Sequence, residues 1–150
     1  MLLGQFAASV GEKSRTAFPK KFREVLGNKI ILTQGFEKSL IAVSEDGWKA
    51  LLEGTEGKPF TFPEARETQR FLLGGAAFVE MDDKGRFVLP DYLRRYAELG
   101  DEIIFLGMHR YVEIWDKKRW EVYNQELSKN IGVIAERLSK DTVQKDIDHR

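Results

Sequence analysis

Two short segments of the sequence each place a lysine two positions before an arginine, beside residues that favour turns. They contain Lys13 with Arg15 and Lys84 with Arg86, and the two arginines lie 71 positions apart. Turns presented by a rigid sheet are frequent binding sites. A guanidinium offers a planar fork of donors that matches a phosphate group or the edge of a guanine. The pattern therefore indicates contact with DNA.

The second segment, tip 2 (residues 82–85), begins with an acidic residue. Asp82 stands four positions before Arg86. Across a turn of this length a carboxylate can accept a hydrogen bond from the guanidinium and fix its direction, which makes an aimed bidentate donor of a mobile cation. The alternative is an ion pair that only closes the turn, because exposed pairs are common and weak. The sequence leaves both interpretations of the Asp82 and Arg86 pair open.

The first segment, tip 1 (residues 11–14), lacks this acidic residue because Gly11 occupies its place. Arg15 is therefore less constrained and less neutralised, and we expect it to be the freer phosphate contact. Ser14 also stands where tip 2 has Gly85.

More cations follow tip 1, on the first turns of a helix in which Pro19 is predicted to take the first position. They extend one basic surface, or they form an ordinary solvated helix face. The predicted DNA-binding residues are Lys13, Arg15, Lys20, Lys21, Arg23, Lys84 and Arg86.

Other chemistries have little support in the sequence. The chain has no cysteine and two histidines, so we predict no metal site and no cofactor. Asp82 and Asp83 do not begin a calcium loop, because Lys84, Arg86 and Leu93 would fall at ligand positions. We find no nucleophile with a histidine and no phosphate-binding glycine loop, and therefore predict neither an enzyme nor a small-molecule substrate.

Composition gives a broad class only. Hydrophobic residues make up 42% and charged residues 32% of the 150 residues, as in ordinary globular proteins. We find no apolar run long enough for a membrane span and no signal-peptide pattern, and we predict a cytoplasmic location. The 24 basic and 24 acidic residues balance, so an argument for DNA binding must depend on where the charges lie.

The two tips belong to a longer internal repeat. Glycine, lysine, arginine and proline recur at one offset, so that Pro19 corresponds to Pro90 and Arg23 to Arg94, and Trp48 corresponds to Trp120 one position further on. Each copy predicts two strands joined by a hairpin turn, a short helix, two more strands and a second helix. The predicted strands are 5–10, 15–18, 29–33 and 40–43 in the first copy, then 102–106 and 111–115 after the second hairpin and helix.

Helix ends also follow the repeat. Gly27 and Gly100 are predicted to end the two short helices, because glycine accepts a left-handed cap. Ser44 and Asp116 are predicted N-caps for the helices that carry the tryptophans, which are interpreted as core residues together with Trp115.

The domain organisation follows from these elements. We predict a first repeat over 1–53, a linker and connecting helix over 54–73, a second repeat over 74–127, and a C-terminal helix with a charged tail over 128–150. The fold class is α+β, made of two β-β-α-β-β-α modules related by a pseudo-two-fold axis.

Taken together, several motifs resemble the bacterial MraZ family over residues 1 to 127. The resemblance depends on the start of the chain, both Lys-x-Arg tips with their prolines, and three further segments: Gln34-Gly-Phe36, Leu73 to Pro90, and Val112-Glu-Ile-Trp115. It implies a swapped-hairpin barrel related to AbrB-like DNA-binding domains, with both halves of one chain forming a pseudo-dimer. It maps the Asp-x-x-x-Arg motif of the family onto Asp82 and Arg86.

The resemblance also implies a function. Members of this family assemble into rings and regulate transcription of the division and cell-wall gene cluster that begins with their own gene. We therefore expect a nucleoid-associated homo-oligomer that binds short repeated promoter boxes in double-stranded DNA. The alternative is a structural or protein-interaction oligomer in which the hairpin ion pairs join subunits without reading DNA.

Overall fold

The computed structural model describes residues 1–56 and 61–148. Its first half contains β1 (Gln5–Ser9), β2 (Arg15–Ala17), α1 (Lys20–Leu26), β3 (Lys29–Gln34), β4 (Leu40–Val43) and α2 (Glu45–Glu56). After α3 (Pro63–Gly74) come β5 (Ala77–Glu80), β6 (Arg86–Val88), α4 (Asp91–Tyr96), β7 (Glu102–Gly107), β8 (Val112–Asp116) and α5 (Lys117–Asp148). The α+β class predicted from the sequence is confirmed.

The strands form two antiparallel sheets in which the repeats exchange their strands. The larger sheet has the order β1-β7-β8-β4-β3-β5, and β2 pairs with β6 in a separate two-stranded ribbon. The first strand of each repeat thus pairs with the third strand of the other repeat. The order is symmetric about the β8 and β4 pair, as the internal duplication requires.

The predicted hairpin pairing is wrong, because the two described strands beside a tip do not form a ladder with each other. Each tip joins two consecutive strands, but among the described residues β1 forms its ladder with β7, and β2 forms its ladder with β6. The two strands beside a tip therefore belong to different sheets. Local turn residues predict the tip, whereas the ladder partners depend on contacts with the other repeat.

Apolar strands surround a core rich in phenylalanine. Phe18 packs against Phe105 with a centroid distance of 4.7 Å and against Phe87 at 5.9 Å. Phe6 meets Phe22 edge to face at 5.0 Å. These side chains come from both repeats, so burial of the core requires both halves of the duplication.

A second, smaller cluster lies on the other side of the sheet. It contains Ile31, Ile41 and Val43, and Trp48 packs against it while remaining half-buried. Trp115 is also buried. The interpretation of the tryptophans as core residues agrees with these positions.

The helix ends show one correct and one wrong cap. Gly27 ends α1 with φ +80, as predicted. Gly100 does not end α4, because α4 stops at Tyr96 and the left-handed residue after it is Glu98, with φ +52. Glu98 is the true counterpart of Gly27 at the offset of the repeat. Gly100 instead donates its N–H to Asp116 Oδ1 at 3.0 Å.

Ser44 behaves as the predicted N-cap of α2. Its hydroxyl accepts a hydrogen bond of 3.0 Å from the N–H of Gly47. This bond satisfies one of the donors that the first turn of a helix leaves without an intrahelical partner.

The chain divides into two compact units, Met1–Lys117 and Lys118–Arg150. Within the second unit, Trp120 is buried and its ring lies 6.1 Å from that of Tyr123. Helix α5 is continuous from residue 117 to residue 148. The sequence predicts a separate C-terminal helix and a charged tail, whereas most of this tail continues the helix; positions 149 and 150 lie outside the described residues. None of the described helices combines the length and apolarity needed to cross a bilayer.

Candidate nucleic-acid interface

The ribbon of β2 and β6 places two arginines on one exposed face. Thr16 pairs with Phe87 in its centre, and both side chains are buried. Because side chains alternate along a strand, the flanking residues point to the opposite face, and Arg15 and Arg86 are exposed there. Arg15 lies opposite Val88, so the two arginines are diagonal neighbours. Such positions are close enough for long side chains to act on one ligand.

Tip 2 is closed around the carboxylate of Asp82. Its Oδ1 accepts hydrogen bonds from the backbone N–H groups of Lys84 at 2.9 Å and Arg86 at 2.8 Å. Its Oδ2 accepts a bond of 2.6 Å from Arg86 Nε. The backbone N–H of Arg86, followed by its guanidinium, lowers the pKa of Asp82 below the ordinary range. The structure therefore places the predicted motif pair in direct contact and fixes the direction of Arg86.

Tip 1 has a different geometry. The N–H of Gly11 donates to the carbonyl of Arg15 at 2.8 Å, so the turn is closed by the backbone. Lys13 and Ser14 both adopt positive φ, 58° and 57°. Within the part of the chain that the structure describes, no carboxylate contacts the guanidinium of Arg15. The charge of Arg15, beside tip 1, is thus less neutralised locally than the charge of Arg86, beside tip 2.

Each tip is bound to the opposite repeat through its last residue. The carbonyl of Ser14 accepts the N–H of Leu89 at 2.9 Å, and the carbonyl of Gly85 accepts the N–H of Phe18 at 2.9 Å. Leu89 and Phe18 are buried core residues. The tips are therefore attached to the core and presented at defined positions.

The cations of α1 fall into two groups. Lys20 and Lys21 are exposed on the first turn after Pro19, at the positive end of the helix dipole. This position does not favour a cation, and in the second repeat Asp91 occupies the place of Lys20. The lysines are therefore not explained by helix stability, and they make the first repeat the more basic one.

Arg23 differs from the two lysines because it is half-buried and makes defined contacts. Its Nε donates to the carbonyl of Phe18 at 3.1 Å, and its Nη1 donates to the carbonyl of Asp83 in tip 2 at 3.2 Å. The structure thus separates Arg23 from the exposed cations with which the sequence groups it.

One residue at this site was not among the predicted ones. Arg94 is the repeat counterpart of Arg23, and its Nη1 donates to the hydroxyl of Ser14 at 2.8 Å. Its Nε donates to the carbonyl of Leu99 at 3.0 Å. The constant offset that relates the two arginines was the signal that could have identified it.

The cations of this region lie on an exposed surface. The described residues contain no group of three or more histidine, aspartate or glutamate side chains placed to hold a metal ion. Exposed arginines lie on the ribbon and exposed lysines lie on the tips and on α1. This arrangement suits contact with an extended polyanion.

Fold and site together define a class of protein. It is an internally duplicated α+β domain with exchanged strands and a basic two-stranded ribbon. A family model described as the MraZ protein matches residues 72–141. A protein named "Transcriptional regulator MraZ" from Caldanaerobacter subterraneus subsp. tengcongensis is 40% identical over 138 residues, covering 92% of this chain and 96% of the relative. This chain belongs to the MraZ family.

Two further relatives carry the same name. The protein of Acetivibrio thermocellus is 40% identical and covers 93% of this chain and 97% of its own. The protein of a Roseiflexus species is 34% identical and covers 93% of this chain and 98% of its own. These names describe regulators and not enzymes, in agreement with the prediction that this chain is no enzyme.

Proposed function

We propose that this chain is a transcriptional regulator that binds double-stranded DNA through the exposed face of the β2 and β6 ribbon and the two tips. The single observation that carries the proposal is the placement of Arg15 and Arg86 as diagonal neighbours on that face. The names of its relatives support the regulatory role.

The dimensions of DNA favour this arrangement. The major groove is about 12 Å wide and admits a two-stranded β-ribbon. An arginine on such a ribbon can reach a guanine edge or a phosphate with two parallel hydrogen bonds. Lys13 and Lys84, exposed at the two tips, are placed to contact phosphates beside the groove.

The two tips are proposed to contribute unequally. Arg86 is held by Asp82, which aims it but neutralises part of its charge. In the described part of the chain, no carboxylate contacts the guanidinium of Arg15. Lys20 and Lys21 add positive charge in the same repeat. Tip 1 therefore supplies the larger share of the affinity, and tip 2 supplies orientation.

A single chain brings few cations to DNA, so its affinity as a monomer is modest. A ring-like homo-oligomer presents the same ribbon several times, and tandem boxes about 34 Å apart could be bound together. The effective concentration of the later ribbons then raises the affinity without new kinds of contact. We propose that the boxes lie in the promoter of the division and cell-wall genes, including its own, and that the protein acts at the nucleoid in the cytoplasm.

The test compares Arg15→Ala with Arg70→Ala, which removes an exposed arginine on α3 outside the ribbon. Binding is measured to the duplex immediately upstream of the coding sequence of the chain, at several salt concentrations. Arg15→Ala should weaken binding strongly and lower the slope of log K against log salt by about 0.9, the value for one phosphate contact. Binding by Arg15→Ala that equals that of the unaltered protein would contradict the proposal.

The alternative, an interaction oligomer without DNA readout, is tested with Arg86→Ala. The direct Asp82 and Arg86 contact is the observation behind it, although both partners lie in one tip of one chain. If this variant loses DNA affinity but keeps the oligomer size in size-exclusion chromatography, the DNA proposal is supported. If it falls to monomers, the interaction reading is favoured.

A further inference from the structure

We propose that Arg23 and Arg94 are positioning residues that hold the two DNA-binding tips from across the repeat boundary. The inference deepens the proposed function and rests on it. Neither arginine is assigned a phosphate or a base. Each is assigned to the tip of the other repeat, which it keeps in the orientation that the ribbon needs.

Each arginine reaches the tip of the other repeat, although the atoms that it contacts there differ. Arg94 on α4 reaches Ser14 in tip 1, with Nη1 and the hydroxyl oxygen 2.8 Å apart. Arg23 on α1 reaches Asp83 in tip 2, with Nη1 and the carbonyl oxygen 3.2 Å apart. A contact from one repeat to the tip of the other therefore recurs, to a side-chain hydroxyl in tip 1 and to a backbone carbonyl in tip 2.

The Nε atom of each guanidinium is bound to a backbone carbonyl of the repeat that carries the arginine. Arg23 Nε donates to the carbonyl of Phe18, and Arg94 Nε donates to the carbonyl of Leu99. Arg94 is also near Asp101, with Nη2 and Oδ1 3.6 Å apart, and its side chain is only 25% exposed. Donors that are satisfied in this way are poorly placed to meet DNA, but a planar fork that joins two segments fixes their relative position.

The residue at the end of each tip explains how the arginine is accommodated. At Gly85 a Cβ atom would overlap the Arg23 side chain, 2.9 Å from Cζ and closer still to Nε. Glycine therefore allows Arg23 to lie across tip 2. In tip 1 the corresponding Ser14 has a Cβ, and its hydroxyl accepts the bond from Arg94 instead. Where tip 1 has serine in place of glycine, the corresponding arginine, Arg94, thus makes a different contact.

Fixed tips matter because Lys13 and Ser14 both hold positive φ. Non-glycine residues in this region are strained, and such strain persists only when the surroundings determine the conformation. The Leu89 N–H and the Arg94 guanidinium together bind both oxygens of Ser14. Loss of the guanidinium leaves the tip with more conformations, and ordering it on DNA then reduces affinity.

The experiment uses the full chain with Arg94→Lys, which keeps the charge but removes the fork, and Arg95→Lys as its control. Arg95 is the exposed neighbour on the same helix. The probe is again the duplex upstream of the coding sequence, titrated well below the thermal unfolding midpoint of each variant. We expect Arg94→Lys to bind at least about tenfold more weakly, the equivalent of one lost hydrogen bond to a charged group. We expect Arg95→Lys to bind as the unaltered protein does.

The salt dependence separates positioning from direct contact. A positioning residue changes the affinity but not the slope of log K against log salt, whereas a phosphate contact lowers the slope by about 0.9. Arg94→Lys with unchanged affinity, or Arg94→Ala with the slope change of a phosphate contact, would overturn the assignment. If the unaltered protein does not bind the duplex at all, the proposed function fails instead.

Ser14→Gly supplies a second variant that leaves every charge in place. It removes the hydroxyl while suiting the positive φ of this position. If the two residues act through their contact, the double variant with Arg94→Lys should lose no more affinity than Arg94→Lys alone. Additive losses would contradict the positioning role.

Discussion

Arg94 donates a hydrogen bond of 2.8 Å to the hydroxyl of Ser14, a residue 80 positions earlier in the chain and in the other repeat. Its counterpart Arg23 reaches tip 2 over a separation of 60 positions. The tips that carry the proposed DNA contacts therefore depend on the opposite repeat for their conformation. Duplication has produced a surface that neither repeat forms alone.

The first prediction concerns the glycine of tip 2. Gly85→Ala should lower the free energy of unfolding by about 1–2 kcal/mol, because an alanine at positive φ is strained. Its Cβ would also displace Arg23. The measurement is urea unfolding. Gly27→Ala is the control, because Gly27 also has a positive φ, +80, and a Cβ there meets nothing within 4 Å. Similar losses for both variants would show that the Arg23 contact does not matter.

A second prediction follows from the carboxylate of Asp82. Backbone and side-chain hydrogen bonds from Arg86 lower its pKa, so the contribution of the pair to stability is present above the ordinary pKa of an aspartate. The contribution is lost as the pH falls through the lowered pKa of the folded state. Carbon-detected NMR titration should find the pKa of Asp82 below the ordinary aspartate value. In Arg86→Ala it should return toward that value, and a pKa that does not move would argue against the pair.

The third prediction concerns Glu113, whose pKa is raised by burial although the indole N–H of Trp115 donates to its carboxylate. A carboxyl with a raised pKa binds its proton more tightly in the folded state, so stability falls as the pH rises from the unfolded pKa to the folded pKa. Glu113→Gln should therefore be more stable than the unaltered protein at neutral pH. At a pH below the ordinary glutamate pKa, this gain in stability should disappear. Thermal unfolding across pH measures this difference.

Glu53→Gln is the control for that comparison, because it removes the charge of an exposed glutamate on α2. Its effect should stay within about 0.5 kcal/mol at any pH, as for other exposed charges. A gain for Glu53→Gln as large as for Glu113→Gln would mean that net charge, and not burial, sets the stability.

The fourth prediction contrasts two phenylalanines. Phe105 is fully buried and packs against Phe18, whereas Phe78 on β5 is 82% exposed. Phe105→Ala should lower the free energy of unfolding by about 3–5 kcal/mol, through lost transfer energy and the cavity left behind. Phe78→Ala should change it by less than about 0.5 kcal/mol. Chemical denaturation measures both, and a large loss at position 78 would indicate that another surface covers this side chain.

The repeat allowed much of the fold to be predicted from the sequence. Strand patterns, the Ser44 cap and the Gly27 cap are local features, and each was recovered. Pro19 and Pro90 were predicted as the first helical residues, whereas each is the N-cap directly before its helix. The Gly100 cap was predicted wrongly because two added residues shift the second repeat, so that Glu98 takes the left-handed position. The domain boundaries and the residues that contact DNA stay predictions.

What the sequence determined by itself was the set of elements, their duplication and the two cationic tips, since these depend on neighbours in the chain. Only the tertiary structure decided that the strands beside each tip pair with the other repeat, which brings Arg15 and Arg86 onto one face. It also decided that Arg23 and Arg94 turn to the opposite tips. Such pairings depend on contacts between residues far apart in the chain. Neither secondary-structure propensity nor the period of hydrophobic residues predicts which distant partner a strand or a guanidinium will contact.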